Sequence, residues 1–202
     1  MTEHVAAPSS ARRDELLERA YGYVLEHGLS GMSLRPLATA IDSSPRVLLF
    51  LFASKDGLVR ALLARARADE LQLLDRVRST TGKSDLPTVA EAVWQWLAAR
   101  EHRALLRLWA EGYALSLVEP HGPWAGFAAA TVAEWLELLA AAQPPDVRNT
   151  KAGAAERTLT LAVLRGGLLD LLATDDHVRT TAAVQRHLVA LRRAARVPSS
   201  PL

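Results

Sequence analysis

SLRPLATAIDSSPRVLLFLFASKDGL, residues 33 to 58, is the stretch whose reading decides the fold. Ser33 suits the N-cap of a short helix over Leu34 to Ala40, where Pro36 is tolerated because it lies in the first turn. Asp42 and Ser43 make a turn. Ser44 followed by Pro45 then restarts the helix, since serine caps the free N–H groups and proline at the first helical position has no N–H to satisfy. This second short helix runs to Phe52. Ala53 and Ser54 end it, and Ser54 can cap a much longer helix reaching about Ser79. Two short helices around a tight turn are the helix-turn-helix unit.

Upstream, Leu17, Ala20, Tyr21, Val24 and Leu25 follow the spacing of an amphipathic helix, which Ser9 or Ser10 can cap and Gly28 can end. That helix braces the pair. Downstream, residues 80 to 87 (TTGKSDLP) read as a polar linker, followed by helices over residues 88 to 100, 101 to 118, 124 to 142, 151 to 173 and 176 to 196. The end, residues 197 to 202, reads as frayed. Alternating strand patterns fail throughout, while Ala, Leu, Arg and Glu dominate. The expected fold class is all-α with about nine helices. The expected domains are a helix-turn-helix domain over residues 1–58 and a larger helical domain over residues 59–202.

Composition bounds the function classes. Half of the 202 residues are hydrophobic, enough for a packed core. No apolar run approaches the roughly 20 residues that cross a bilayer, so no membrane partner is expected. Met1 to Ser10 lacks the basic and apolar regions of a signal peptide. There is no cysteine, which removes disulfides and thiol chemistry and fits a cytoplasmic protein. The net charge of +2 does not announce nucleic acid, and residues 1–60 carry seven basic and seven acidic side chains. A DNA-binding surface must come from where the cations sit. Ser33, Ser44 and Ser54 mark helix starts whose N–H groups attract phosphate, and Arg35, Arg46 and Lys55 lie just inside those starts.

Here the sequence resembles the TetR family. Ala20 to Gly28, Ser33-Leu34-Arg35, Leu37-Ala38, Ser44, Leu48, Phe52, Ser54-Lys55 and Leu58 fall at that family's spacing, and the helix count matches more weakly through the rest. The resemblance implies a homodimeric repressor on a double-stranded DNA operator, released by a small hydrophobic effector. It also implies that Lys55 clamps a phosphate. The sequence departs from the family at Asp42, where glycine is usual, and at Leu49 and Phe50, where tyrosine and histidine are usual. Leu49 and Phe50 either face a thymine methyl or pack against the bracing helix; Arg46 either reads a base edge or is a solvated arginine. Arg12 and Arg13 reach a groove or belong to a solvated tail. The DNA-binding set is therefore Ser33, Arg35, Ser44, Arg46, Leu49, Phe50 and Lys55.

All five tryptophans lie beyond residue 90. They are ordinary core, or Trp94, Trp109, Tyr113 and Phe127 line an effector cavity with Glu111 as polar anchor. Gly166 and Gly167 interrupt a good helix in LRGGLLDLL, residues 164 to 172, which resembles the family's dimerisation helix. Either a second copy or an intrachain helix approaches there. With Leu161, Leu164, Leu168, Leu172, Leu188 and Leu191 these glycines would form a four-helix bundle across a two-fold axis. No catalytic or metal pattern is found: His4, His27, His102, His121, His177 and His187 are scattered, and no phosphate loop or nucleophile elbow occurs. No enzyme, metal or cofactor is expected. The alternative reading is a ligand-binding or interaction protein of the same fold whose DNA reader has degenerated.

Overall fold

Ser44 and Pro45 start their helix and Gly28 ends the first one as expected, whereas Ser9 and Ser10, the expected caps of that first helix, lie inside it. The computed structural model describes residues 8–81 and 85–196. Among these residues are α1 (Pro8–His27), α2 (Leu34–Ala40), α3 (Pro45–Phe52), α4 (Lys55–Thr81), α5 (Leu86–Ala98), a 3-10 turn (Arg100–His102), α6 (Arg103–Val118), α7 (Phe127–Ala141), α8 (Pro145–Arg148), α9 (Lys151–Thr174) and α10 (His177–Arg196). That is ten α-helices among the described residues, with no strand. The fold class is all-α. Most of the leader reading at Met1 to Ser10, the centre of the linker at residues 82–84 and the tail at residues 197–202 lie outside the described residues.

α2 and α3 have the expected bounds. α8 was not legible, because four residues are too few to carry a periodicity. α7 starts three residues later than the pattern suggests, because Gly126 takes φ +76° just before it. The 3-10 turn separates α5 from α6 where a single helix start at Glu101 was expected.

The chain divides into two compact units. The first contains residues up to Glu70 together with Ala104–Ala129, and the second contains Leu71–Arg103 together with the chain from Ala130 onward. This division does not coincide with the expected boundary after residue 58. α4 runs through that point without a break, and α6 packs back onto the N-terminal helices. Gly112 permits the approach: a Cβ there would stand 2.9 Å from Leu63 and 3.4 Å from Phe127.

In the first unit Leu16, Ala20, Tyr21 and Val24 of α1 pack with Leu37 and Ala38 of α2, Leu48 and Phe52 of α3, and Leu58, Leu62 and Leu63 of α4. Polar bonds tie α1 to α4. The Tyr21 hydroxyl donates to Asp69 at 2.8 Å, Arg65 donates to Glu18 at 2.6 Å and also to Asp69, and the Arg65 guanidinium lies 4.8 Å over the Tyr21 ring. Burial, and then the bond to the Asp69 carboxylate, hold the Tyr21 phenol well above its usual pKa.

In the second unit α5, α9 and α10 pack on one another through Val93, Trp94, Leu164, Leu168, Val184 and Leu188. The Trp94 indole donates to Thr181 Oγ1 at 3.2 Å. Glu91 accepts from Gln185 at 3.2 Å and from Arg192, holding α5 to α10.

Candidate nucleic-acid interface

Ser44 decides how α3 begins. Its backbone is extended, with φ −129° and ψ 153°, and its Oγ accepts from the Val47 N–H at 3.3 Å. With Pro45 next, the helix starts abruptly and its eight residues divide into two faces. Leu48 and Phe52 are buried against α1, α2 and α4. Arg46, Leu49 and Phe50 face outward, Leu49 at 41 % exposure and Phe50 at 82 %. The two open readings of Phe50 are thereby separated: it does not pack on the bracing helix.

Two residues with positive φ bracket α3. Asp42 has φ +54°, which accounts for glycine being usual there, and aspartate is among the few other residues that tolerate it. The departure from the family pattern therefore leaves the turn intact. Ala53 has φ +66° and ψ −34° at the other end. Gly57, a residue that the sequence reading passed over, completes this corner. A Cβ on it would lie 2.0 Å from the Phe52 carbonyl oxygen, so only glycine allows α4 to start this close to the end of α3. A glycine three residues after a capping serine is the signal that could have found it.

Around the outward face, Arg35, Arg46 and Lys55 are exposed, and among the described residues none of the three makes an ion pair or a side-chain hydrogen bond. Ser54 Oγ accepts from the Gly57 N–H at 2.9 Å at the start of α4. Ser33 stands at the N-cap of α2 in extended backbone, but its side chain makes no cap bond, unlike the expectation for it. Arg12 and Arg13 are engaged within the protein: Arg12 donates to Glu15 at 2.7 Å, and the Arg13 guanidinium lies 5.0 Å from the Phe52 ring centre. α3 itself carries no acidic residue.

The residues expected to line an effector cavity fall in both units. Trp94 is buried in the second unit, whereas Trp109, Glu111, Tyr113 and Phe127 belong to the first. Phe127 is part of the core beneath the helix-turn-helix, and the rings of Trp109 and Tyr113 lean together with centres 5.1 Å apart. Glu111 is committed elsewhere: its two oxygens accept from the Leu29 N–H at 2.7 Å and the Ser30 N–H at 2.5 Å. These consecutive N–H groups follow Gly28, whose φ of +79° turns them toward the carboxylate. A groove of about 430 Å³ in the first unit is lined by Arg19, Tyr23, Glu26, His27, Ile41 and Asp42 among others, and by none of the expected effector residues.

The expected dimer residues are likewise redistributed. Leu161, Leu164, Leu168, Leu188 and Leu191 are buried within the second unit, and Leu172 is half-buried. Gly167 faces inward, where a Cβ would meet Val184 at 3.0 Å and Trp94 at 3.1 Å, so its reason is intrachain packing. Gly166 faces open space. It lies on a stripe with Leu159, Ala162, Leu169 and Ala173, all exposed, at alternating spacings of three and four residues along α9. Periodicity showed a leucine-rich face but could not say which of two neighbouring stripes the chain covers itself.

What this geometry defines is an all-α protein with an outward-facing helix-turn-helix at its N-terminal end. No family model matches the chain. HTH-type transcriptional regulators of Mycobacterium bovis and Mycobacterium tuberculosis are 28 % identical to it over 134 residues, 63 % of this chain. The chain spans about half the length of these curated relatives, 55 %. Among solved structures, the multidrug binding protein EbrR complexed with imidazole is 26 % identical, with a TM-score of 0.63 over 96 % of this chain and 94 % of that one. A transcriptional regulator from Rhodococcus sp. Rha1 shares the fold with a TM-score of 0.72 at 19 % identity, over 92 % of this chain and 99 % of that one. A TetR-family member from Streptomyces coelicolor reaches 0.67 at 24 % identity, over 89 % and 97 %. The chain has the fold of TetR-family regulators, and its helix-turn-helix resembles that family's in the spacing of its residues. The relatives and structural neighbours named here are regulators and a drug-binding protein, not enzymes.

Proposed function

We propose that the chain is a transcriptional regulator, acting as a repressor, that holds a near-palindromic operator as a homodimer and leaves it when a small, largely apolar effector binds. The observation that carries the reading is the outward face of α3, with Arg46 uncommitted on it and Arg35 and Lys55 at neighbouring helix starts. In helix-turn-helix proteins the N-terminal part of the second helix meets base edges, while cations at helix starts hold phosphates. Two copies reading one face of a duplex stand roughly 34–36 Å apart.

The test is a titration of the full chain against the DNA upstream of its own gene, at several salt concentrations. Arg46→Ala should lose about 1–3 kcal/mol of discrimination between that DNA and a scrambled duplex. Lys55→Ala should weaken both duplexes alike and lower the salt slope by about one. Absence of any DNA retention at low salt would support the degenerate-reader alternative instead.

For the homodimer, the exposed stripe Leu159, Ala162, Gly166 and Leu169 is the proposed contact, with Gly166 admitting a close approach of the second α9. Leu169, at 47 % exposure, can be charged without disturbing the core. Leu169→Glu should yield a monomer by analytical ultracentrifugation with an unchanged helical spectrum. A fully dimeric variant would move the interface elsewhere.

For the effector, the support is partly internal and partly by likeness. Among the described residues no hydrogen-bond acceptor meets the buried Nε1 atoms of Trp109 and Trp124, so each leaves a donor to be satisfied. A structure similar to this chain is that of a multidrug binding protein complexed with proflavin. Planar aromatic compounds that carry acceptor atoms are therefore the class to screen. Binding should quench tryptophan fluorescence and reduce operator retention over the same concentration range; quenching without release would leave a binder that is not an inducer.

A further inference from the structure

An apolar surface on a DNA-reading helix needs a chemical reason. Phe50 is the most exposed large hydrophobic residue among those described, at 82 %, and Leu49 beside it is at 41 %. Neither supports the core, because Leu48 and Phe52 already fill the buried face of α3. Arg46 lies one helical turn before Phe50, so the three side chains share one outward face. Arg35 and Lys55 are exposed at the starts of the helices before and after it, α2 and α4. A ring left in water loses the burial that every other phenylalanine of the chain has: Phe52 and Phe127 are both buried.

Resting on the DNA-binding reading above, we propose that Phe50 and Leu49 are specificity-determining residues that recognise the C5-methyl groups of thymines in the major groove, next to a base read by Arg46. The major groove of a polyanion offers one kind of apolar feature, the thymine methyl. An arginine followed one turn later by two apolar side chains matches a groove in which a guanine edge lies beside thymines. A protein partner suits this face less well. It would have to cover Phe50 while also answering Arg46, Arg35 and Lys55, and α3 offers it no carboxylate for register. Polar groups at these two positions would bond phosphate or base edges; apolar ones shift that part of the readout from hydrogen bonds to methyl contact.

The experiment removes the methyl alone. Operator half-sites are selected with the full chain from random duplexes, and each thymine is then replaced by deoxyuridine, which keeps every base-pairing group. The wild-type chain should bind about fourfold more weakly for each contacted methyl lost, the factor that corresponds to burying one carbon group. Phe50→Ala should bind the thymine operator more weakly and no longer distinguish it from the uracil operator at the position Phe50 contacts. Phe50→Leu, which keeps an apolar contact, should retain part of the distinction. Specific binding with equal affinity for thymine and uracil duplexes would overturn this inference and leave the regulator reading standing. Selection that returns no preferred sequence would overturn both.

Discussion

Gly57→Ala is expected to destabilise the protein by about 3 kcal/mol, the upper end for overpacking a fixed site. The new methyl would be placed 2.0 Å from the Phe52 carbonyl oxygen, a backbone atom rather than a flexible side-chain end. Relief would require α3 to move away from α4. Leu48 and Phe52 resist that movement because both are buried in the shared core. For a chain of this length the loss corresponds to a fall in Tm of roughly 6–12 °C. The consequence reaches function, since the same movement would re-aim Arg46 and Phe50; specific DNA affinity should fall further than non-specific affinity. Ala53→Gly is the companion variant. Its backbone sits at φ +66° and ψ −34°, where a Cβ is strained, so removing the Cβ should raise stability by about 1 kcal/mol. If Gly57→Ala melts with the wild type, the two helix ends are not in the close contact described.

Glu111→Ala is expected to cost about 3 kcal/mol, read from the midpoint of urea unfolding. Each oxygen of Glu111 accepts a charge-assisted bond, at 2.7 Å from Leu29 and 2.5 Å from Ser30. Successive backbone N–H groups turned toward one point make a concave anion site, and here the chain fills it with its own carboxylate. Leu29 is buried, so its N–H has little water to turn to when the carboxylate is removed. Glu111→Gln should fall between the wild type and the alanine variant. It keeps one acceptor but sets an NH₂ group against a second donor. An effector anchor would behave in the opposite way, with stability unchanged and effector binding lost. That outcome would return Glu111 to the role expected from sequence.

The helix-turn-helix was legible because its punctuation is local. Ser44-Pro45 starts a helix whatever the rest of the chain does, and the alternation of Leu48 and Phe52 with Arg46, Leu49 and Phe50 is a property of eight consecutive residues. The family likeness rode on the same short-range pattern. Asp42 is instructive: as a departure from the family it cast doubt on the reader, and its φ of +54° shows that the turn accepts it.

Sequence by itself determined which long segments are helical and where the reading helix begins; that Phe50 faces outward beside Arg46 was left to the structure. Tertiary structure decided which of two stripes on α9 is covered by α5 and α10, that Gly167 serves Trp94 while Gly166 stays open, and that Glu111 closes the loop after α1. It also divided the aromatic residues between two units. The reason is one of range. Capping and periodicity act within a turn or two of helix, whereas the partner of Glu111 lies about eighty residues away in the chain, and no pattern within either segment encodes that meeting.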